Sequence, residues 1–334
     1  MQNNGISTEI LSLINNEELR PSTNIVVSKC SAYDYINNSL PNLEKMTIKY
    51  YETFAITSRF TGYISNITIG QFYDSLSTKG ANPTAILGGL NSTTREEISK
   101  DSSQNSGSSS QGGGGSSGSS SGDSSATNSD QSSISSPGAT INPEDLTAGS
   151  SSVSGKRGTE NIGLAVFKKD TFCGELTAVE TICHLLLIND LDSFIISIDS
   201  PISEDTTMEL QLVPKKNSKI SVSIDNDTPI ININLNLDAD ILTLENNVNY
   251  QSKENLEKIS NATTEYMKKQ INDYLNKTCK EYGVDIDDFY TKALCHFNTI
   301  SEWEDFNWEA KIQNAKFNVN LDVNVTSSLL ITQT

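Results

Sequence analysis

From Pro229 to Leu237 the chain reads PIININLNL, with Ile231, Ile233, Leu235 and Leu237 alternating with Asn232, Asn234 and Asn236. A period of two places the aliphatic side chains on one face of a strand and the amides on the other. This predicts an antiparallel sheet with one dry face and one wet face. SFIISID, TMELQLV and KISVSID, upstream, predict three further strands, and KFNVNLDVNV closes the chain with Phe317, Val319, Leu321, Val323 and Val325 on the dry side. The cover for that face is encoded between Asn255 and Tyr282. There Leu256, Ile259, Tyr266, Ile271, Tyr274 and Leu275 recur at threes and fours, and Lys258, Lys268, Lys269 and Lys277 take the solvent side. Gly283 is the residue expected to end this helix. A second helix is predicted over roughly 288–297, followed by SEWEDFNWEAK with its two tryptophans.

Ahead of the first of these strands, GLAVFKKDTFCGELTAVETICHLLL reads as a hairpin (IGLAVF, turn KKDT, FCGEL) running into a helix. Thr177 stands three residues before Glu180, the spacing of a capping box, and Val179, Ile182, Cys183, Leu186 and Leu187 follow at helical period. Glu180 therefore has a structural duty at the helix start. Gly174 sits before the returning Leu of the hairpin.

The N-terminal segment is mixed. Ile6, Ile10, Leu11, Leu13 and Ile14 form one side of a short helix stopped at Arg20-Pro21, and Asn24–Ser28 is a short buried strand. SAYDYINNSLP and NLEKMTIKYYETFAITSRF suggest helices, and TIGQFYDSLSTKG adds one capped by Thr68 and stopped at Gly80. One strand does not make a sheet, so this segment reads as the later part of an α/β-type domain.

Between Lys100 and Gly155 the chain is mostly serine and glycine. Such a stretch cannot offset its ordering entropy by burial and is expected to be a flexible coil. No Gly-Lys-Ser/Thr ends it, so it is not a phosphate loop. The expected organisation is an incomplete N-terminal domain over 1–99, a disordered Ser/Gly linker over 100–158 and a C-terminal domain over 159–334. The fold class is α+β: a C-terminal antiparallel sheet covered by a long helix, beside a partial α/β-type domain.

Charge narrows the partners. The net charge is −18 over 334 residues, divided as −1 over 1–100, −5 over 101–155 and −12 over 156–334. The acidic C-terminal half repels phosphate backbones and anionic headgroups, which argues against nucleic acid and against direct adhesion to a membrane. No apolar run reaches the roughly 20 residues a bilayer span needs, and the first residues do not read as a signal peptide. The five cysteines show no CxxC spacing, so neither a disulfide framework nor a zinc module is indicated.

No catalytic, cofactor-binding or metal-binding residues stand out. Asp285, Asp287 and Asp288 begin like a calcium loop, but Tyr290 and His296 occupy the positions that need glycine and glutamate. An acidic helix start is the simpler reading. Cys183 and His184 are adjacent and point about 100 degrees apart on a helix, so a cysteine hydrolase would have to join Cys173 to His184 or His296 by tertiary contact. That thiol-dependent hydrolase is the rival function. Trp303 and Trp308 read either as partner-binding anchors or as indoles pinning a loop to the core.

The C-terminal half resembles the Ger(x)C family, the lipoprotein C subunits of bacterial spore germinant receptors. Gly163, Ala165, Val166, Phe167, Lys168, Gly174, Leu176 and Glu180 take the places of the family's G-x-AVFK hairpin and the helix after it. Lys280, Glu281, Tyr282, Gly283, Asp285, Ile286 and Phe289 follow its KEY-G-x-D-I pattern, and Trp303, Asn307, Trp308 and the final strand complete the match. The resemblance covers about 159–334, and residues 5–90 more loosely. It implies a non-enzymatic receptor subunit that partners integral membrane A and B subunits at the outer face of the spore inner membrane. No cofactor is implied. It further implies a leader and a lipid-bearing cysteine, the only membrane attachment expected. Neither is expected within the sequence as it starts at Met1, and Cys30 lies too far along the chain to be that anchor.

Overall fold

A computed structural model describes residues 5–39, 47–91, 94, 146–151, 158–203, 206–242 and 252–326. In chain order these form α1 (Ser7–Ile14), β1 (Val26–Ser28), α2 (Ala32–Asn37), α3 (Thr47–Thr61), α4 (Ile69–Ser77) and β2 (Thr84–Leu90). Then come β3 (Thr159–Lys168), β4 (Thr171–Leu176), α5 (Ala178–Ile188), β5 (Phe194–Asp199), β6 (Thr207–Asp225) and β7 (Thr228–Ile241). α6 (Lys253–Leu275), α7 (Phe289–Ala293), α8 (Ile300–Phe306), α9 (Trp308–Lys311) and β8 (Lys316–Thr326) complete the chain. The fold is α+β and holds two four-stranded sheets, β1-β2-β3-β4 and β5-β6-β7-β8.

The first sheet draws on both sides of the Ser/Gly tract. β1 lies parallel to β2, and β2 pairs antiparallel with β3, so that Leu90 stands opposite Thr159. Most of the tract lies outside the described residues. At its far end, residues 146–151 pack against the sheet: Ala148 N–H donates to the Ile162 carbonyl at 3.0 Å, and Ala178 N–H donates to the Leu146 carbonyl at 2.9 Å. Ile10, Ile69 and Phe72 from α1 and α4 bury Ala85, Leu87, Ala165 and Phe167 on one face. Leu164, Val166 and Leu176 point the other way, into the core that also holds Cys183 and Leu187 of α5 and Tyr274 and Leu275 of α6.

In the second sheet the alternation through Ile231, Ile233, Leu235 and Leu237 buries every second residue of β7. Its polar face carries a ladder in which the Asn318 amide donates to Asn232 Oδ1 at 2.8 Å and the Asn320 amide to Asn234 Oδ1 at 3.1 Å. Two features depart from the sequence reading. TMELQLV and KISVSID are one strand, β6, whose register slips between Pro214 and Lys219. Pro214 removes one ladder donor, yet both halves still pair with β7. The sheet is also mixed rather than antiparallel throughout, because β8 runs parallel to β7. The chain leaves β7, crosses back through α6 to α9 and re-enters in the same direction, which only a parallel pairing permits.

α6 crosses the dry face with Ile259, Met267, Ile271, Tyr274 and Leu275 buried. Its last turns widen into a π-helix, Asn276–Tyr282, which stops where Gly283 turns left-handed at φ 65°. The helix expected over 288–297 is the shorter α7 followed by a tight turn through Leu294–His296.

Candidate functional site

Where α6 ends, two carboxylates are buried. Val284, Ile286 and Phe289 face the core, and the residues between them, Asp285 and Asp287, are only 1 % and 5 % exposed. A buried carboxylate must be hydrogen-bonded or it destabilises the fold. Asp287 Oδ1 accepts from His184 Nδ1 of α5 at 2.8 Å, and the Tyr274 hydroxyl of α6 donates to both Asp287 oxygens at 2.8 and 2.9 Å. Burial, followed by the Asp287 charge, holds the Tyr274 phenol well above its ordinary value.

Asp285 collects backbone N–H groups from Asp287 at 3.3 Å, Phe289 at 3.1 Å and Tyr290 at 2.7 Å, and the Trp308 indole N–H donates to it at 2.9 Å. It therefore caps α7 from outside the helix, while Asp288 at the cap position makes no side-chain cap bond. Burial, then the Asp287 charge, pushes Asp285 up to about 7, against the pull of those donors. Asn82, just before β2, exchanges two bonds with the Asp285 main chain: its Oδ1 accepts from Asp285 N–H at 2.9 Å and its N–H donates to the Asp285 carbonyl at 3.0 Å. One buried hub thus ties α5, α6, α7, α9 and the approach to β2.

The cap of α5 lies at the next contact. Thr177 Oγ1 accepts from Glu180 N–H, and the Glu180 carboxylate accepts from Thr177 N–H at 2.8 Å. Lys277 reaches across from the π-helical turn and donates to both Glu180 oxygens, at 2.9 and 2.7 Å. Gly174 leaves the space that the Tyr282 ring fills: a Cβ there would come within 2.3 Å of the phenol oxygen.

The thiol-imidazole pair of the rival reading does not form. The Cys173 thiol donates to the Val166 carbonyl at 3.3 Å, and burial pushes it up to about 11, far from the thiolate range a nucleophile needs. His184 is committed to Asp287, and His296 Nε2 donates to the Val222 carbonyl at 2.7 Å. Among the described residues no cluster of His, Cys, Asp or Glu is placed to hold a metal ion.

Trp303 and Trp308 are both buried, their rings 5.8 Å apart at 30°, with Phe297 and Phe306 around them. Their edges floor a surface depression of about 240 Å³. Lys79, Glu304, Lys169 and Glu309 line it as two ion pairs, Lys79–Glu304 and Lys169–Glu309. Any partner on this surface meets charges and Asn307 before it meets indole.

Sequence reasoning missed the hub. The readable signal is the alternation VDIDDF, in which Asp285 and Asp287 fall between residues destined for the core. The partners His184, Tyr274 and Trp308 are too remote in sequence to have been assigned.

The class these features define is a two-sheet α+β protein in which the buried His184, Tyr274, Asp285 and Asp287 are spent on one another, on Trp308 and on main-chain N–H groups, and no helix of its described residues is long and apolar enough to cross a membrane. A family model described as "Spore germination B3/ GerAC like, C-terminal" matches residues 162–328, and one described as "Spore germination protein N-terminal domain" matches residues 1–88. The chain belongs to this Ger(x)C family of spore germination proteins. Among solved structures it is similar to "Crystal Structure of the GerBC protein" at 13 % identity and a TM-score of 0.58, covering 97 % of this chain and 75 % of that one. At that identity the likeness bears on the fold. No relative is found among curated proteins.

Proposed function

We propose that this chain is the non-enzymatic C subunit of a nutrient germinant receptor, docked against the integral membrane A and B subunits at the outer face of the spore inner membrane. The observation that carries the reading is the joining of the two family domains in one chain through a shared sheet, with β2 from the first and β3 from the second. A receptor subunit that transmits contact between partners needs such a rigid connection, and the hub around Asp285 adds a second tie at Asn82. The Cys173 thiol, raised by burial and bound to a carbonyl, gives the hydrolase reading no support.

Docking falls to the surface beside Trp303 and to the open sheet edges. Lys79 and Glu304 are the natural probes, since their side chains are 71 % and 46 % exposed and surface substitution leaves the core intact. The variant Lys79→Glu/Glu304→Lys is expected to lose A and B subunits on purification from spores and to slow nutrient germination while its melting temperature stays unchanged. Full retention of both subunits by that variant would sink this docking surface.

A further inference from the structure

On the α1 side of the first sheet a cleft of about 490 Å³ stands open. Among the described residues β1 is only three residues long and covers little of this face, so the space between Ile6, before α1, and the Tyr282 ring packed over Gly174 stays open. Its walls are Val27 and Leu87, which are direct neighbours across β1–β2, together with Phe167 and Phe172, whose rings meet edge-on at 5.8 Å. At its rim Lys29 and Glu175 form an ion pair at 2.7 Å, and Lys29 also donates to Thr147 Oγ1 at 3.2 Å. The charges there are already compensated. At the inner end the Tyr282 ring lies over Gly174, and among the described residues no hydrogen-bond partner meets its hydroxyl.

A volume of a few hundred Å³, mostly apolar walls and a few polar groups, of which Ser28 is engaged with Cys30 and Lys29 with Glu175, make the usual form of a small-molecule site. We propose that this cleft binds a small uncharged amphipathic molecule, its apolar body against Val27, Leu87, Phe167 and Phe172 and a hydroxyl or amide head on the Tyr282 phenol. A charged head of either sign would have to break the Lys29–Glu175 ion pair at the rim to find a partner, and an anionic head is further repelled by a chain of net charge −18. The site stands on this chain's geometry alone, so its failure and the failure of receptor docking are read in separate experiments.

The test uses the full chain and four probes followed by ligand-observed NMR titration: p-cresol, toluene, hexanoate and hexylammonium. Saturable binding of p-cresol and toluene is expected, with both charged probes much weaker. Tyr282→Phe removes one neutral hydrogen bond and should weaken p-cresol about three- to tenfold, leaving toluene unchanged. Val27→Trp fills the cleft from a short edge strand, where the ring disturbs little of the core, and should abolish both. Binding that survives Val27→Trp in a protein with wild-type circular dichroism overturns the site. So does equal binding of the charged probes, or a Tyr282→Phe effect that is absent or the same for p-cresol and toluene.

Discussion

Asp285 is a carboxylate buried among four N–H donors, and its partner in charge, Asp287, is buried beside it. Burial and that neighbour raise it to about 7 in the folded chain, against about 4 in an unfolded one. Between those values folding takes up a proton, so the group's stabilisation is complete below about pH 4 and lost as pH rises towards about 7. Three units correspond to on the order of 4 kcal/mol. The stability of the wild type relative to Asp285→Asn, from denaturant melts between pH 4.5 and 7.5, should therefore fall as pH rises. A pH-independent difference would refute the assignment. The two indoles show how far residue-level reading reaches. Five-residue spacing on one helix separates Trp303 from Trp308, but Asn307 turns left-handed at φ 54° and ends α8, so the rings meet after all. A helical wheel drawn through that break could not show it.

Elements with an unambiguous period were legible: β7, β8, α6, and α5 with its capping box all lie where the patterning puts them. β2 was not. Its seven residues, TAILGGL, are all buried, and a fully buried strand has no alternation to read, the more so with two glycines in it. The parallel entry of β8 was equally hidden, since alternation fixes which face is dry but not strand direction. The hairpin that feeds α5 rests on Gly163. Its φ is 88°, and a Cβ would fall 2.1 Å from the Leu176 carbonyl oxygen, a backbone atom held by the β3–β4 ladder. Gly283 has φ 65°, but the nearest atoms its added Cβ would meet all belong to the flexible Gln313 side chain, which can swing away. Gly163→Ala should accordingly cost more than about 3 kcal/mol and Gly283→Ala about 1 kcal/mol in urea melts. Equal costs, or the reverse order, would show that β3 and β4 part easily.

For the whole molecule, the decisive contact is Leu90 opposite Thr159, which closes everything between them into one loop. Closing a flexible loop costs only about 0.6 kcal/mol per doubling of its length. Replacing residues 101–140 by a six-residue Gly/Ser spacer should therefore leave both sheets intact and raise stability slightly, read as an unchanged circular dichroism spectrum and a melting temperature equal or higher. A deletion that unfolds the chain would mean the tract contributes contacts of its own. The sequence by itself determined the α+β class, the dry face of the second sheet and the helix that covers it, because periodicity and capping act over a few neighbouring residues. Tertiary structure alone decided that β1 and β2 complete a sheet begun after the tract. It also decided that His184, Tyr274 and Trp308 converge on two aspartates, and that Tyr282 closes over Gly174 at one end of a cleft. Those outcomes depend on which distant surfaces exclude water together, and local pattern does not carry that information.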